Sequence, residues 1–215
     1  MTADRNPQAE QMADESMVRN LAAQAECIWP AERLLFERYE LSGSIAVLDV
    51  ACGTGEITDR LADLFPRARL VGVDLLESHL ERARVRAARH GERLRFEVGD
   101  AYHLNGGAEW DLVVCRHVLQ AIPHFEQVVE ELVRVTRPGG IVHIVAEDYA
   151  MMHFHPTTVD ADLFWHRGPI PFAASSGTDI RSGRKIFSEL RRLGLEEVRV
   201  DWITIDTTRC PRETF

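Results

Sequence analysis

The chain has 215 residues, 45% of them hydrophobic, which fits one domain able to bury a sizeable core. Its formal net charge of -9 argues against a general affinity for nucleic acid phosphates and points to a small molecule or a peptide instead. Four cysteines (Cys27, Cys52, Cys115 and Cys210) form no C-x-x-C pair, which excludes a zinc knuckle and a redox motif and suits a reducing cytosol. The N-terminus is polar and reads as no signal peptide, and no apolar run is long enough to cross a bilayer. The expectation is a cytoplasmic protein with neither a membrane nor a nucleic acid partner.

Residues 1–8 carry no pattern. Residues 12–27 are helical in period, with Met17, Leu21 and Ile28 loosely on one face. A second helix is expected to start at Pro30, a residue favoured at the first helical position, and to run through Leu34, Leu35 and Tyr39 until Ser42-Gly43. Ile45-Ala46-Val47-Leu48-Asp49-Val50 then reads as a buried strand, broken at Gly53 and Gly55 before a helical pattern over 57–64. A strand feeding a helix through a glycine turn offers backbone N–H groups and an open crevice to a ligand. Both glycines let the main chain come close where a Cβ would collide.

A dinucleotide fingerprint would place a third glycine where Thr58 stands, and a pyrophosphate gains nothing from a carboxylate such as Asp49. A cationic ligand does. Asp49-Val50-Ala51-Cys52-Gly53-Thr54-Gly55 resembles motif I of the class I S-adenosylmethionine-dependent methyltransferases, with Ala51 in place of the usual first glycine. The resemblance implies that the acid helps hold the charged methionine end and that Ala51, Cys52, Gly53 and Gly55 cradle the donor. It also implies that the N-terminal helices lie over the donor pocket.

Phe65-Pro66 stops that helix, and residues 68–74 form the next strand, ending at Asp74 followed by Leu75. An acid there, about twenty residues past the glycines, can accept both ribose hydroxyls of a nucleoside; the alternative is a helix cap. A helix over 77–90 follows, ended by Gly91. His79 lies one turn into it, where the resemblance implies a side chain against the adenine; the alternative is a surface histidine. The alternating run 94–98 reads as a third strand leading into Gly99-Asp100-Ala101, where the family's acid meets the adenine amino group. Strand 111–115 leads to Arg116-His117-Val118-Leu119-Gln120-Ala121-Ile122-Pro123, which resembles motif IV and the turn after it; family members often have a histidine where Ala121 stands. Val128, Val129 and Leu132 mark one face of a helix that ends at Arg137-Pro138-Gly139-Gly140, a break before strand 141–146 and Glu147-Asp148-Tyr149.

Five strand–helix units imply an α/β fold, a doubly wound and mostly parallel sheet of Rossmann-like methyltransferase type. Ligands bind at the carboxyl ends of such strands, where Asp49, Asp74, Asp100 and Arg116 all fall. One domain is expected over 1–215, with N-terminal helices (1–43), a donor-binding core (44–148), a lid (149–178) and a C-terminal helix and strand (179–215). The lid is rich in aromatics, histidines and prolines, and Tyr149, His153 and Trp165 are its candidate acceptor contacts. A helix over 183–193 precedes a long strand over 198–206. The last antiparallel strand of the resembled fold is expected to be missing, since 209–215 contain a proline and two arginines. The lid and the C-terminal edge are candidate homo-oligomer contacts.

The implied reaction is methyl transfer from S-adenosylmethionine to an oxygen or nitrogen of a small-molecule acceptor, by in-line displacement at the sulfonium methyl. The protein mainly supplies proximity and alignment, and a hydroxyl acceptor also needs a base. His155 and then His117 are the candidate bases, with His153 also in reach of the lid. Glu147, Asp148, His153 and His155 lack tight ligand spacing, so no metal is expected. Aminopropyl or carboxymethyl transfer on the same fold, and a non-catalytic or truncated donor-binding module, are the alternatives.

Overall fold

Val47 and Val50, both without exposed surface, sit in the central strand of a five-stranded parallel sheet, β1 (Ala46–Val50). In a computed structural model of the chain, the described residues are 14–153 and 157–211; His155 and the ends of the chain lie outside them. The other strands are β2 (Arg69–Asp74), β3 (Leu94–Val98), β4 (Trp110–Arg116) and β5 (Thr136–Val145), in the spatial order β3-β2-β1-β4-β5. Every pairing is parallel. The strand order reverses at β1, which opens a crevice at the carboxyl ends of β1 and β4.

Alternate side chains of β1 serve two cores. Val47 joins Leu61, Leu70, Leu80 and Phe36, under helices α1 (Glu15–Glu37), α2 (Glu56–Leu64) and α3 (Glu77–Ala87). Leu48 and Val50 join Val113, Val128 and Leu132 on the other face, under α4 (Phe125–Val135) and the C-terminal helix. Both faces are covered, which is why β1 reads as a continuous apolar run.

Four local expectations are corrected. Pro30 starts no second helix; α1 runs straight through it. An interior proline costs about 3 kcal/mol, but Ile28, Glu32 and Phe36 are spaced to bury one face of the helix against the sheet, and that packing holds it together. The α-helix over 77–90 ends at Ala87 and continues as a 3-10 turn, Ala88–Arg93. Residues 137–140 are a bulge within β5 rather than a break before it, since Trp110 pairs with Thr136 and Leu112 with Ile141. Residues 198–206 form no strand, and among the described residues no backbone hydrogen bond joins them to β5. Among the described residues no strand lies beside them to take up a ladder of N–H and C=O groups, and Trp202 is 70% exposed.

The 149–178 segment has more regular structure than its composition suggests: a 3-10 turn (Tyr149–Met151) and two short helices, α5 (Ala161–Arg167) and α6 (Pro169–Ser176), precede α7 (Gly183–Arg192). Cys27 of α1 and Cys210 are joined by a disulfide, 183 residues apart in sequence. Cys52 and Cys115 are free. This pairing runs against the reading of cysteine usage as that of a reducing cytosol, since disulfides persist in oxidising surroundings. No described helix is long and apolar enough to cross a membrane.

Candidate active site

The glycine turn after β1 is held from three sides. Ala51 has φ +58, a left-handed conformation costing an L-residue about 1–2 kcal/mol, so the glycine usual in the motif has a steric reason at this position. Gly53 has φ +56, and a Cβ there would meet only Leu21 Cδ1, at 3.7 Å; its main chain faces open space in the cleft. Gly55 does something else. Its own Cβ would lie 2.7 Å from Ala83 Cβ, so it is the contact that lets α3 pack on the turn, and it does not line the cleft. From α3, Arg86 Nε donates to Thr54 O (3.1 Å) and Nη2 to Glu56 Oε1 (2.6 Å).

Above this turn one cleft collects the strand ends. Asp49, Ala51, Cys52, Gly53, Asp74, Leu75, His79, Asp100, Ala101, Arg116, His117 and Tyr149 all line it. Asp49 is 3% exposed and accepts from Thr58 Oγ1 at 2.6 Å. Burial pushes its carboxyl up to about 7, against the pull of the Thr58 hydroxyl and the Arg116 charge. The Cys52 thiol is likewise raised by burial, which makes it an inert wall. Asp74 Oδ2 accepts from Gly53 N–H (2.8 Å) and Oδ1 from Leu76 N–H (2.9 Å), so it braces the turn and the start of α3. His79 is buried with Nδ1 3.9 Å from Asp74 Oδ1. Asp100 Oδ1 accepts from Tyr102 N–H at 3.0 Å.

Arg116 has a second task. Its Nε and Nη2 each lie 2.6 Å from a carboxylate oxygen of Glu32, whose side chain has no exposed surface. His143 Nε2 also meets Glu32 (3.1 Å), and Tyr39 OH meets His143 Nδ1 (2.7 Å). Burial raises the Glu32 carboxyl, but the His143 hydrogen bond and the Arg116 charge outweigh it and bring it down to about 2. Removing one partner of such a pair leaves a buried charge, at a cost of about 3–5 kcal/mol.

The candidate bases and lid residues separate. His117 lies at the end of β4, with Nδ1 hydrogen-bonded to Glu147 after β5. Tyr149 lines the cleft, and burial with the nearby Glu147 charge pushes its phenol up to about 12. Trp165 stacks on Tyr149 (ring centroids 5.6 Å) without lining the cleft, and His153 is exposed and away from it. Sequence reasoning did not single out Glu32 or Arg86, nor Asn20 and Gln24, which line the cleft beside Met17 and Leu21, and it weighed Glu147 only as a metal ligand. The spacing 17, 20, 21, 24 is one helix face, and that signal was present.

The cleft fits an elongated cationic nucleoside. Three acids stand at the ends of β1, β2 and β3, the turn at Gly53 is open, and the one arginine among the lining residues is already paired with Glu32. Residues 47–140 match the family model described as a methyltransferase domain. A trans-aconitate 2-methyltransferase from Variovorax paradoxus is 35% identical over 126 residues, covering 55% of this chain and 44% of that protein. A malonyl-[acyl-carrier protein] O-methyltransferase from Bacillus cereus is 29% identical, over 51% of this chain and 40% of the relative. A demethylmenaquinone methyltransferase from Deinococcus radiodurans is 37% identical, over 44% and 39%. The chain thus spans less than half the length of these relatives. Among solved structures, a chain of the Haloferax volcanii complex between the Trm112 methyltransferase activator and a methyltransferase superposes with TM-score 0.69 at 19% identity, covering 95% of this chain and 86% of that one. That likeness shows the fold.

Proposed function

We propose that this chain, a member of the class I S-adenosylmethionine-dependent methyltransferases through residues 47–140, transfers a methyl group from S-adenosylmethionine to an oxygen or nitrogen of a small-molecule acceptor. The observation that carries the reading is the convergence of Asp49, Asp74 and Asp100 with the open turn at Gly53 in one cleft under α1. The relatives' names, which refer to trans-aconitate, a malonyl carrier and demethylmenaquinone, support a small acceptor.

When bound, the donor supplies a sulfonium methyl that already has a good leaving group. The chain's own residues hold and align. Asp74 would receive the ribose hydroxyls, exchanging its bond to Gly53 N–H for them. Asp100 would receive the adenine amino group, with Ala101 and His79 as the walls of that end. Asp49 offers negative charge to the methionine end once its proton leaves, while Met17 and Leu21 exclude water from above. Alignment of this kind accounts for much of the rate in a bimolecular displacement.

The direct test is calorimetric titration of S-adenosylmethionine into the wild type and Asp74→Ala. At least about tenfold weaker binding in the variant is expected from the loss of a charge-assisted pair of hydrogen bonds. A folded wild type that binds no donor would end the methyltransferase reading. Product analysis with radiolabelled methyl donor separates methyl transfer from aminopropyl or carboxymethyl transfer.

A further inference from the structure

Sheet order divides the cleft. The acids suited to a nucleoside end β2 and β3, on one side of β1, whereas His117 and Glu147 end β4 and β5 on the other. A donor lying across β3, β2 and β1 leaves the β4–β5 side for the acceptor. His117 is unusually fixed there. Its φ is +56, its N–H donates to Val145 O (2.9 Å), and its carbonyl accepts from Gln120 Nε2 (2.9 Å). Residue 147 is fixed as well: Glu147 O accepts from Gly183 N–H at 3.0 Å, and a Cβ on Gly183 would stand 2.9 Å from that oxygen.

Between these two residues Nδ1 of His117 meets Oε1 of Glu147. A carboxylate can only accept, so the Nδ1 proton stays on the ring and the neutral imidazole carries its lone pair at Nε2. That Nε2 is shielded from solvent and has no hydrogen-bond partner among the described residues; the same holds for Glu147 Oε2 and Gln120 Oε1. An unpaired buried polar atom costs about 1–3 kcal/mol. His117, Gln120 and Glu147 all line the cleft, and their three acceptors suit a ligand that brings O–H or N–H donors.

We propose that Glu147 is a positioning residue that fixes His117 as the proton acceptor for a hydroxyl-bearing small molecule, so that the methyl group goes to oxygen. The inference rests on the methyltransferase reading above. The acceptor oxygen forms its new bond to the methyl carbon as the carbon–sulfur bond breaks and the electron pair stays on sulfur. The hydroxyl proton passes to His117 Nε2, and the imidazolium so formed is balanced by the Glu147 carboxylate. An amine attacks through a lone pair it already has and needs no such base at that moment. Gln120 Oε1 and Glu147 Oε2 would take a second donor group next to the reacting hydroxyl. Tyr149, Arg116 and Asp49 are the other ionisable groups that share this part of the cleft.

The experiment has two arms. Nitrogen NMR of the ligand-free chain, isotope-labelled at histidine and assigned with His117→Asn, reads the tautomer. The expected wild type has its proton on Nδ1 and a bare Nε2, and Glu147→Gln, whose amide can donate as well as accept, mixes the two tautomers. A wild type protonated on Nε2 would overturn the proposal. In the second arm, radiolabelled methyl transfer is followed with paired probes, catechol against ortho-diaminobenzene and glycolate against glycine. Product on oxygen is expected, with kcat in Glu147→Gln lower by at least about a hundredfold and KM within about twofold, as for loss of acid–base catalysis. Product on nitrogen alone, or an unchanged kcat in Glu147→Gln, would also overturn it. If no probe turns over, the tautomer decides. A wild type that fails to bind the donor by calorimetry ends the methyltransferase reading and leaves the tautomer result standing on its own.

Discussion

Asp49 and Glu32 are both buried carboxyls, yet their surroundings drive them in opposite directions. Asp49 accepts from the Thr58 hydroxyl and is held up at about 7; Glu32 has a guanidinium and an imidazole and is brought down to about 2. The folded chain keeps the Asp49 proton to about pH 7, whereas an unperturbed carboxyl loses it near 3.8. Its proton-linked stability is therefore full below pH 3.8 and is lost as pH rises to about 7. Glu32 works the other way, since its contribution is present above the ordinary carboxyl value of 4.5 and is lost as pH falls to about 2. Asp49→Asn keeps the partner to Thr58 without the ionisation. The variant should gain stability over the wild type by up to several kcal/mol between pH 5 and 8, as read from urea midpoints. Its donor affinity should nevertheless fall, because a sulfonium gains from the ionised acid. A stability difference that does not change with pH would show that Asp49 is ionised throughout.

At the scale of elements, α1 connects the sheet to the C-terminal segment. It packs Phe36 and Ile28 into the core, pairs Glu32 with Arg116 of β4, lines the cleft from Met17 to Ala25, and carries the disulfide to Cys210. Among the described residues, Val198 packs on the second core, Arg38 pairs with Asp201 at 2.8 Å, half-exposed, and Val200 and Trp202 face solvent. Closing a loop of this length is worth up to about 5 kcal/mol in the chain-entropy account. Reduction, or Cys210→Ser, should lower the melting temperature and open the chain after residue 197 to proteolysis while the sheet stays folded. Equal melting and equal protease resistance with and without reductant would argue that the segment docks by itself. Neither the disulfide nor the exposed run of 198–209 was legible in the sequence. The β1 turn and the strand-end acids could be read because a continuous apolar run, a glycine turn and a terminal carboxylate are local signals. Pro30 inside a helix, the Cys27–Cys210 pairing, and the failure of 198–206 to become a strand all depend on what lies across the fold. The same divides the site: Asp74 could be found from its spacing, but Glu147 gains its meaning only when β5 is laid beside β4.

The sheet is the most fully paired layer of the molecule, and α1 lies over its cleft. The buried strands β1, β2 and β4 are each paired on both sides, whereas β5 has hydrogen-bonded pairing to β4 alone. Amide exchange in β1, β2 and β4 should require global opening, and exchange in 198–209 only local opening. The cleft draws its walls from elements far apart in sequence: α1, the turn at 51–55, and the ends of β2, β3, β4 and β5. A ligand touching all of them ties α1 to the sheet. S-adenosylmethionine should therefore slow exchange not only at 51–55 and 74–76 but also at 17–25, the part of α1 that faces the donor. The α1 amides make their own helical bonds, so added protection there reports restrained opening of the whole helix rather than new backbone contacts. Exchange mass spectrometry with and without donor reads all three regions at once. Protection confined to the glycine turn would mean that α1 is a fixed wall, and that entry and exit of the donor must depend on the 149–178 segment instead.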